Sequence, residues 1–172
     1  MLTLIIGGAG SGKSLFAEAL LQKCAGPRLY IATMQPLDAE SRRRIARHRL
    51  QREGKGFLSL ECYTGLKGAA EKLPFYGGIL LECAGNLLAN ELFSPEGGGA
   101  PAVREGIQAL RQRCFELIVV TNEVFSGGTD YEGDTLHWLW ELAMLNRALA
   151  GEAERVVEVI CGCPNVLKGQ LP

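Results

Sequence analysis

Net charge, long apolar runs and paired metal ligands are all scarce in this chain, and each shortage removes a class of function. Eighteen Lys and Arg stand against 19 Asp and Glu, a formal net charge of -1. Such a balance creates no global field to attract nucleic acid or an anionic membrane, so neither is expected as a partner. No apolar run reaches the roughly 18 residues that a membrane-spanning helix needs. The two histidines and the six cysteines, at 24, 62, 83, 114, 161 and 163, form no Cys-x-x-Cys pair and no His cluster at metal-ligand spacing. A zinc site is therefore not expected, and the cysteines read as free thiols in a reducing cytosol. No basic-then-apolar leader precedes the first apolar segment, because a glycine-rich motif already begins at residue 7. The expected location is the cytoplasm, as a soluble protein. Internal repeats and long low-complexity segments are also lacking.

What remains is a chain of 172 residues that is 47% hydrophobic, the size and apolar content of one ordinary domain with one core; residues 1–172 are expected to form it. Apolar runs that read as buried strands alternate with helical patterns: Leu2–Ile6 before Lys13–Cys24, and Arg28–Ala32 before Asp38–Gln51. Further strands are expected at Gly78–Leu81, Glu116–Thr121 and Val156–Ile160, with a weaker one at Leu58–Cys62 and helices at Ala102–Cys114 and Thr135–Ala150. Alternation of this kind implies βα units on a parallel sheet, hence an α/β three-layer sandwich. Ser94–Pro101, rich in Gly and Pro, cannot propagate a helix or a ladder and is expected to be a mobile surface loop.

The strongest motif is Gly7-Gly8-Ala9-Gly10-Ser11-Gly12-Lys13-Ser14, a full G-x-x-x-x-G-K-[ST] phosphate loop between a strand and a helix. Glycines let backbone N–H groups turn inward around a phosphate, and the following helix presents its positive end to the same anion. Lys13 is expected to reach the terminal phosphates and Ser14 to ligate magnesium. A second magnesium-side oxygen should come from an acid at the end of a neighbouring strand, and Glu82, closing Ile79-Leu80-Leu81, is the candidate.

Between Asp38 and Arg52 lies an arginine-rich helical pattern that carries His48. Asp38 is placed to cap the helix and Glu40 to pair with Arg44 at i,i+4, while Arg44 and His48 share a face by the same spacing. Surrounding guanidinium charge depresses a histidine's pKa and leaves one ring nitrogen unprotonated at neutral pH, which makes the imidazole a competent nucleophile. If this face meets the phosphate loop, Arg44 and Arg47 neutralise phosphates while His48 attacks phosphorus. The alternative is a solvated basic helix with an incidental histidine. His137, among Leu136, Trp138, Leu139 and Trp140, reads as structural.

Taken together, the phosphate loop, Tyr30-Ile31-Ala32-Thr33 followed by Asp38, Glu40, Arg44, Ile45 and His48, then Leu80-Leu81-Glu82-Cys83, and Val120-Thr121-Asn122-Glu123-Val124 resemble one family. It is the bifunctional adenosylcobinamide kinase and adenosylcobinamide-phosphate guanylyltransferase family of cobalamin biosynthesis, and the match is collinear over nearly the whole chain. The resemblance implies a RecA-like P-loop fold in a homotrimer, with adenosylcobinamide and its phosphate as small-molecule substrates. ATP or GTP would phosphorylate the aminopropanol hydroxyl; GTP would then donate GMP through a guanylyl-histidine at the position of His48. It also assigns Thr33, Arg44, Arg52 and Glu61 to the guanosine or phosphate environment. Departures from the family pattern are Arg52-Glu53, Phe57 and Ser59 in the segment after His48, Phe125-Ser126-Gly127-Gly128-Thr129-Asp130 after Val124, and Leu139 and Trp140 near an expected Arg-Asp pair; Asn146 is retained. Two other classes fit the motifs: a simple P-loop kinase of a small metabolite, and a non-catalytic GTP-binding relative.

Overall fold

The computed structural model describes residues 1–128 and 130–172. In chain order the elements are β1 (Leu2–Gly7), α1 (Lys13–Gln22), β2 (Arg28–Ala32), α2 (Ala39–Arg52), β3 (Phe57–Glu61), α3 (Leu66–Glu71) and β4 (Tyr76–Glu82). They continue with α4 (Ala84–Phe93), α5 (Gly99–Arg111), β5 (Cys114–Asn122), α6 (Gly133–Glu152), β6 (Arg155–Ile160) and β7 (Cys163–Lys168). One seven-stranded sheet runs in the order β3-β2-β4-β5-β1-β6-β7. Every pairing is parallel except the β6–β7 hairpin.

The central strands are apolar on both faces, as a sheet covered on both sides requires. Alternate residues of one strand feed different cores: Ile79, Leu81, Leu117 and Val119 join the cluster with α3, α4, α5 and α6. Their neighbours Leu80, Ile118 and Val120 join the cluster with Ala17, Leu20 and Leu21 of α1. The result is the expected three-layer α/β sandwich on a mostly parallel sheet.

Several expectations are corrected. Glu82 does not end a strand next to β1, because β5 lies between β1 and β4; β4 and β5 are both continuous apolar runs, and periodicity cannot order them. Ser94–Pro101 is held in place. The Gly97 N–H donates to the Ser94 carbonyl at 3.0 Å and the Gly98 N–H to Glu91 Oε2 at 2.8 Å. A Cβ on Gly97 would meet the Glu91 carbonyl oxygen at 2.0 Å, so the glycine is needed for close approach. Helix α5 already starts at Gly99, with Pro101 in the first turn, where its missing N–H costs no intrahelical bond. Helices α3 and α4 and strand β7 were not expected. The weaker strand is present as β3, an edge strand parallel to β2.

Candidate active site

All the strand ends that bear on the phosphate loop point one way, so the site lies at the carboxyl edge of the sheet, where open α/β folds bind ligands. The loop leaves β1 at Gly7 and enters α1 through Gly12, whose φ of 92° only glycine adopts without strain. The β6–β7 turn braces it from the side: the Gly162 N–H donates to the Ser11 carbonyl at 2.8 Å. Lys13 folds across the loop, its Nζ donating to the Gly8 carbonyl at 2.9 Å. Burial lowers its pKa, partly opposed by Cys83 and Glu82.

From the Lys13 end the site widens into a cleft of about 1360 Å³ between the loop, α2 and the ends of β2, β3 and β4. Of the residues named from sequence, Ala9 to Ser14, Arg44, His48, Arg52, Glu61 and Glu82 line it. Gly7 and Gly8 stand behind as its backbone frame. Thr33 is the exception. Its side chain is fully buried, its hydroxyl donates to the Cys83 carbonyl at 2.9 Å and accepts the Cys83 N–H at 2.7 Å. It therefore fixes the backbone after Glu82 and does not line the cleft.

Glu82 is the hub. Ser14 Oγ donates to its Oε1, the Tyr30 hydroxyl donates to Oε2 at 3.1 Å, and His48 Nδ1 lies 3.7 Å from Oε1. The phosphate loop and the histidine thus meet within one chain. His48 has its pKa lowered first by burial; Glu82 opposes this, and Arg52, Arg47 and Arg44 add to the lowering. Arginine charge acts in the direction read from the sequence, but withdrawal from water is the larger cause. The anticipated Glu40–Arg44 ion pair does not form among the described residues. The Asp38 cap does: it accepts the Ser41 N–H, and the Ser41 hydroxyl accepts the Asp38 N–H in return.

Two features fit an anionic, magnesium-bound ligand. Arg52 stacks on the Tyr30 ring at 3.6 Å, and its Nε and Nη1 are buried without a hydrogen-bond partner, donors that a phosphate oxygen would satisfy. Ser14 and Glu82 offer adjacent hard oxygens of the kind magnesium prefers. No group of three or more His, Cys, Asp or Glu among the described residues could hold a metal unaided.

A family model described as cobinamide kinase / cobinamide phosphate guanyltransferase matches residues 3–167. The chain belongs to this family. Bifunctional adenosylcobalamin biosynthesis protein CobP of Pseudomonas aeruginosa is 33% identical, over 99% of this chain and 99% of its own length. The proteins named CobU of Salmonella typhimurium and Escherichia coli are 35% and 34% identical, each over 94% of this chain and 97% of theirs. Among solved structures, P4 protein from bacteriophage phi6 in complex with ADP is similar at a TM-score of 0.41 and 12% identity, across 95% of this chain and 53% of that one.

Within this family member, sequence reasoning did not single out Tyr30 or Arg49 for the cleft. Tyr30 sits on a strand between Leu29 and Ile31, which face the opposite core. A buried tyrosine needs a partner for its hydroxyl, and that was the available signal. Arg49 pairs with Glu61. The Tyr63 hydroxyl, donating to Oε2 at 2.7 Å, and after it Arg49 hold the Glu61 carboxyl below its ordinary pKa. All six cysteines are free. No helix among the described residues is long and apolar enough to cross a membrane.

Proposed function

We propose that this chain phosphorylates adenosylcobinamide with ATP or GTP and then transfers GMP from GTP to adenosylcobinamide phosphate through a guanylyl-histidine at His48. One observation carries the reading: an imidazole held neutral by burial and arginines stands 3.7 Å from the carboxylate that hydrogen-bonds the phosphate-loop serine. A histidine with only a structural role has no need of that company.

In the nucleotidyl step a ring nitrogen of His48 attacks the α-phosphorus of GTP. The N–P bond forms, the bridging P–O bond to the β-phosphate breaks, and pyrophosphate departs. A phosphate oxygen of adenosylcobinamide phosphate then displaces the histidine, giving adenosylcobinamide-GDP and restoring the imidazole. Arg44, Arg47 and Arg52 surround His48 with positive charge, where charge accumulates on the phosphoryl oxygens. Lys13 serves the terminal phosphates, and Glu61 offers acceptors to the N–H edge of a guanine. Magnesium, held by Ser14 and Glu82, would supply further charge to the phosphates. The same loop without His48 serves the kinase step, in which the substrate hydroxyl attacks the γ-phosphorus, the bridging P–O bond to the β-phosphate breaks, the nucleoside diphosphate departs and the hydroxyl proton passes to solvent. The resemblance carries cytoplasmic location and a homotrimer into the same proposal.

The test is turnover. With adenosylcobinamide phosphate, magnesium and GTP, the protein is expected to release one pyrophosphate per adenosylcobinamide-GDP formed. His48→Asn is expected to lose that reaction by 10³-fold or more, about 4 kcal/mol of barrier, while keeping γ-phosphoryl transfer to adenosylcobinamide. A simple kinase would make the phosphate and release no pyrophosphate; a non-catalytic relative would bind GTP and do neither.

A further inference from the structure

Helix α2 carries His48, yet it has no buried residue of its own. A helix that buries no apolar face is held by its polar tethers, and those to the body of the fold gather near its C-terminal end. They are the His48–Glu82 contact, the exposed Arg49–Glu61 pair, Arg52 on Tyr30, and a cluster around Glu18. Glu18 on α1 is a carboxylate with no exposure to solvent. Lys55, just beyond α2, donates to its Oε2 at 2.5 Å, and Gln51 Nε2 lies 3.5 Å from its Oε1.

The spacing makes this contact a ruler. Ser14 and Glu18 are four residues apart and share a face of α1; His48 and Gln51 are three apart and share a face of α2. At one rung His48 meets the Glu82–Ser14 pair; at the next, Gln51 and Lys55 meet Glu18. A buried carboxylate cannot tolerate the loss of its cation, so this second rung is a stiff one. An exposed pair such as Arg49–Glu61 contributes little and is readily exchanged with water.

We propose that Glu18 and Lys55 are positioning residues for the nucleotidyl step, fixing the end of α2 to α1 and so setting where His48 stands above the phosphate loop. The consequence for rate rests on the His48 reading above; the placement of the imidazole does not. Displacement of a reacting group by about 1 Å can cost 10²-fold in rate.

Three proteins are compared with the wild type: Lys55→Met, the neutral pair Glu18→Gln/Lys55→Met, which leaves no unpaired buried charge if the single variant fails to fold, and Lys55→Arg. The first readout is the position of the His48 ring in crystal structures of the wild type and the neutral pair. In the wild type its Nδ1 stands 3.7 Å from Glu82 Oε1. In the neutral pair the ring is expected to stand about 1 Å or more from its wild-type place, a displacement of the size that costs rate. The second is the rate of His48 guanylylation at saturating GTP, expected to fall by about 10- to 100-fold. GTP affinity, measured in a His48→Ala background, is expected to change less than about threefold, and Lys55→Arg to restore most of the rate. An unmoved His48 ring in the neutral pair, or rate and affinity falling in step, would overturn the proposal. A displaced ring in a protein whose wild type takes no label would uphold the positioning and sink the guanylyl-histidine.

Discussion

An imidazole beside guanidinium groups gives up its proton more easily than one in water, and His48 gives it up more easily still because its ring is withdrawn from solvent. With the pKa lowered, the neutral nucleophile is the ruling form at pH 7 and is lost as pH falls through a midpoint below the ordinary value of about 6.5. Guanylylation should therefore be flat from pH 7 to 8 and decline only on the acid side of that value. A midpoint at or above it in the rate profile would show that burial and the arginines do not govern the ring. Thr33 belongs to the same scale. Thr33→Val keeps the shape but strips the Cys83 N–H of its acceptor, so it should cost about 1–3 kcal/mol of stability in denaturant unfolding while GTP affinity stays within about threefold. A large affinity loss without a stability loss would place the hydroxyl on the ligand after all.

Helices and strands were unequally legible. Strands β1, β2, β4, β5 and β6 announce themselves as apolar runs because both faces of the sheet are covered, and α2 announces its start through Asp38 and its Arg-rich periodicity. Helix α4 was missed because its start has no Ser, Thr, Asp or Asn cap; Cys83 Sγ accepts the Asn86 N–H instead. Strand β7 is exposed along its whole length and carries no hydrophobic alternation to read. Thr33 sits in a motif that reads as ligand-facing, and only the path of the backbone turns its hydroxyl inward. A helix without a buried face relies on its caps. Asp38→Ala should therefore weaken α2 locally, by about 1 kcal/mol, and speed amide exchange at residues 42–46 with little change in global unfolding. Equal acceleration across α1 and α2 would mean that α2 is not an independently fraying element.

For the molecule as a whole, the near-zero net charge leaves substrate capture to a local field. Arg44, Arg47, Arg49 and Arg52 of α2 face one wall of the cleft, and Lys13 the other. The P-loop, the acidic strand end and the histidine helix come from far-apart stretches of sequence, and the parallel sheet gathers them because strands running the same way deliver their loops to one edge. Motif reading found these three parts; their meeting at Glu82 depends on strand order, which no local pattern encodes. The measurement that bears most directly on that meeting is incubation with magnesium and GTP labelled at the α-phosphorus, followed by denaturation and peptide mapping. A label on His48 that is stable to base, lost in acid and absent from His48→Ala is the expected result. No label on His48 under conditions where GTP is bound would contradict it.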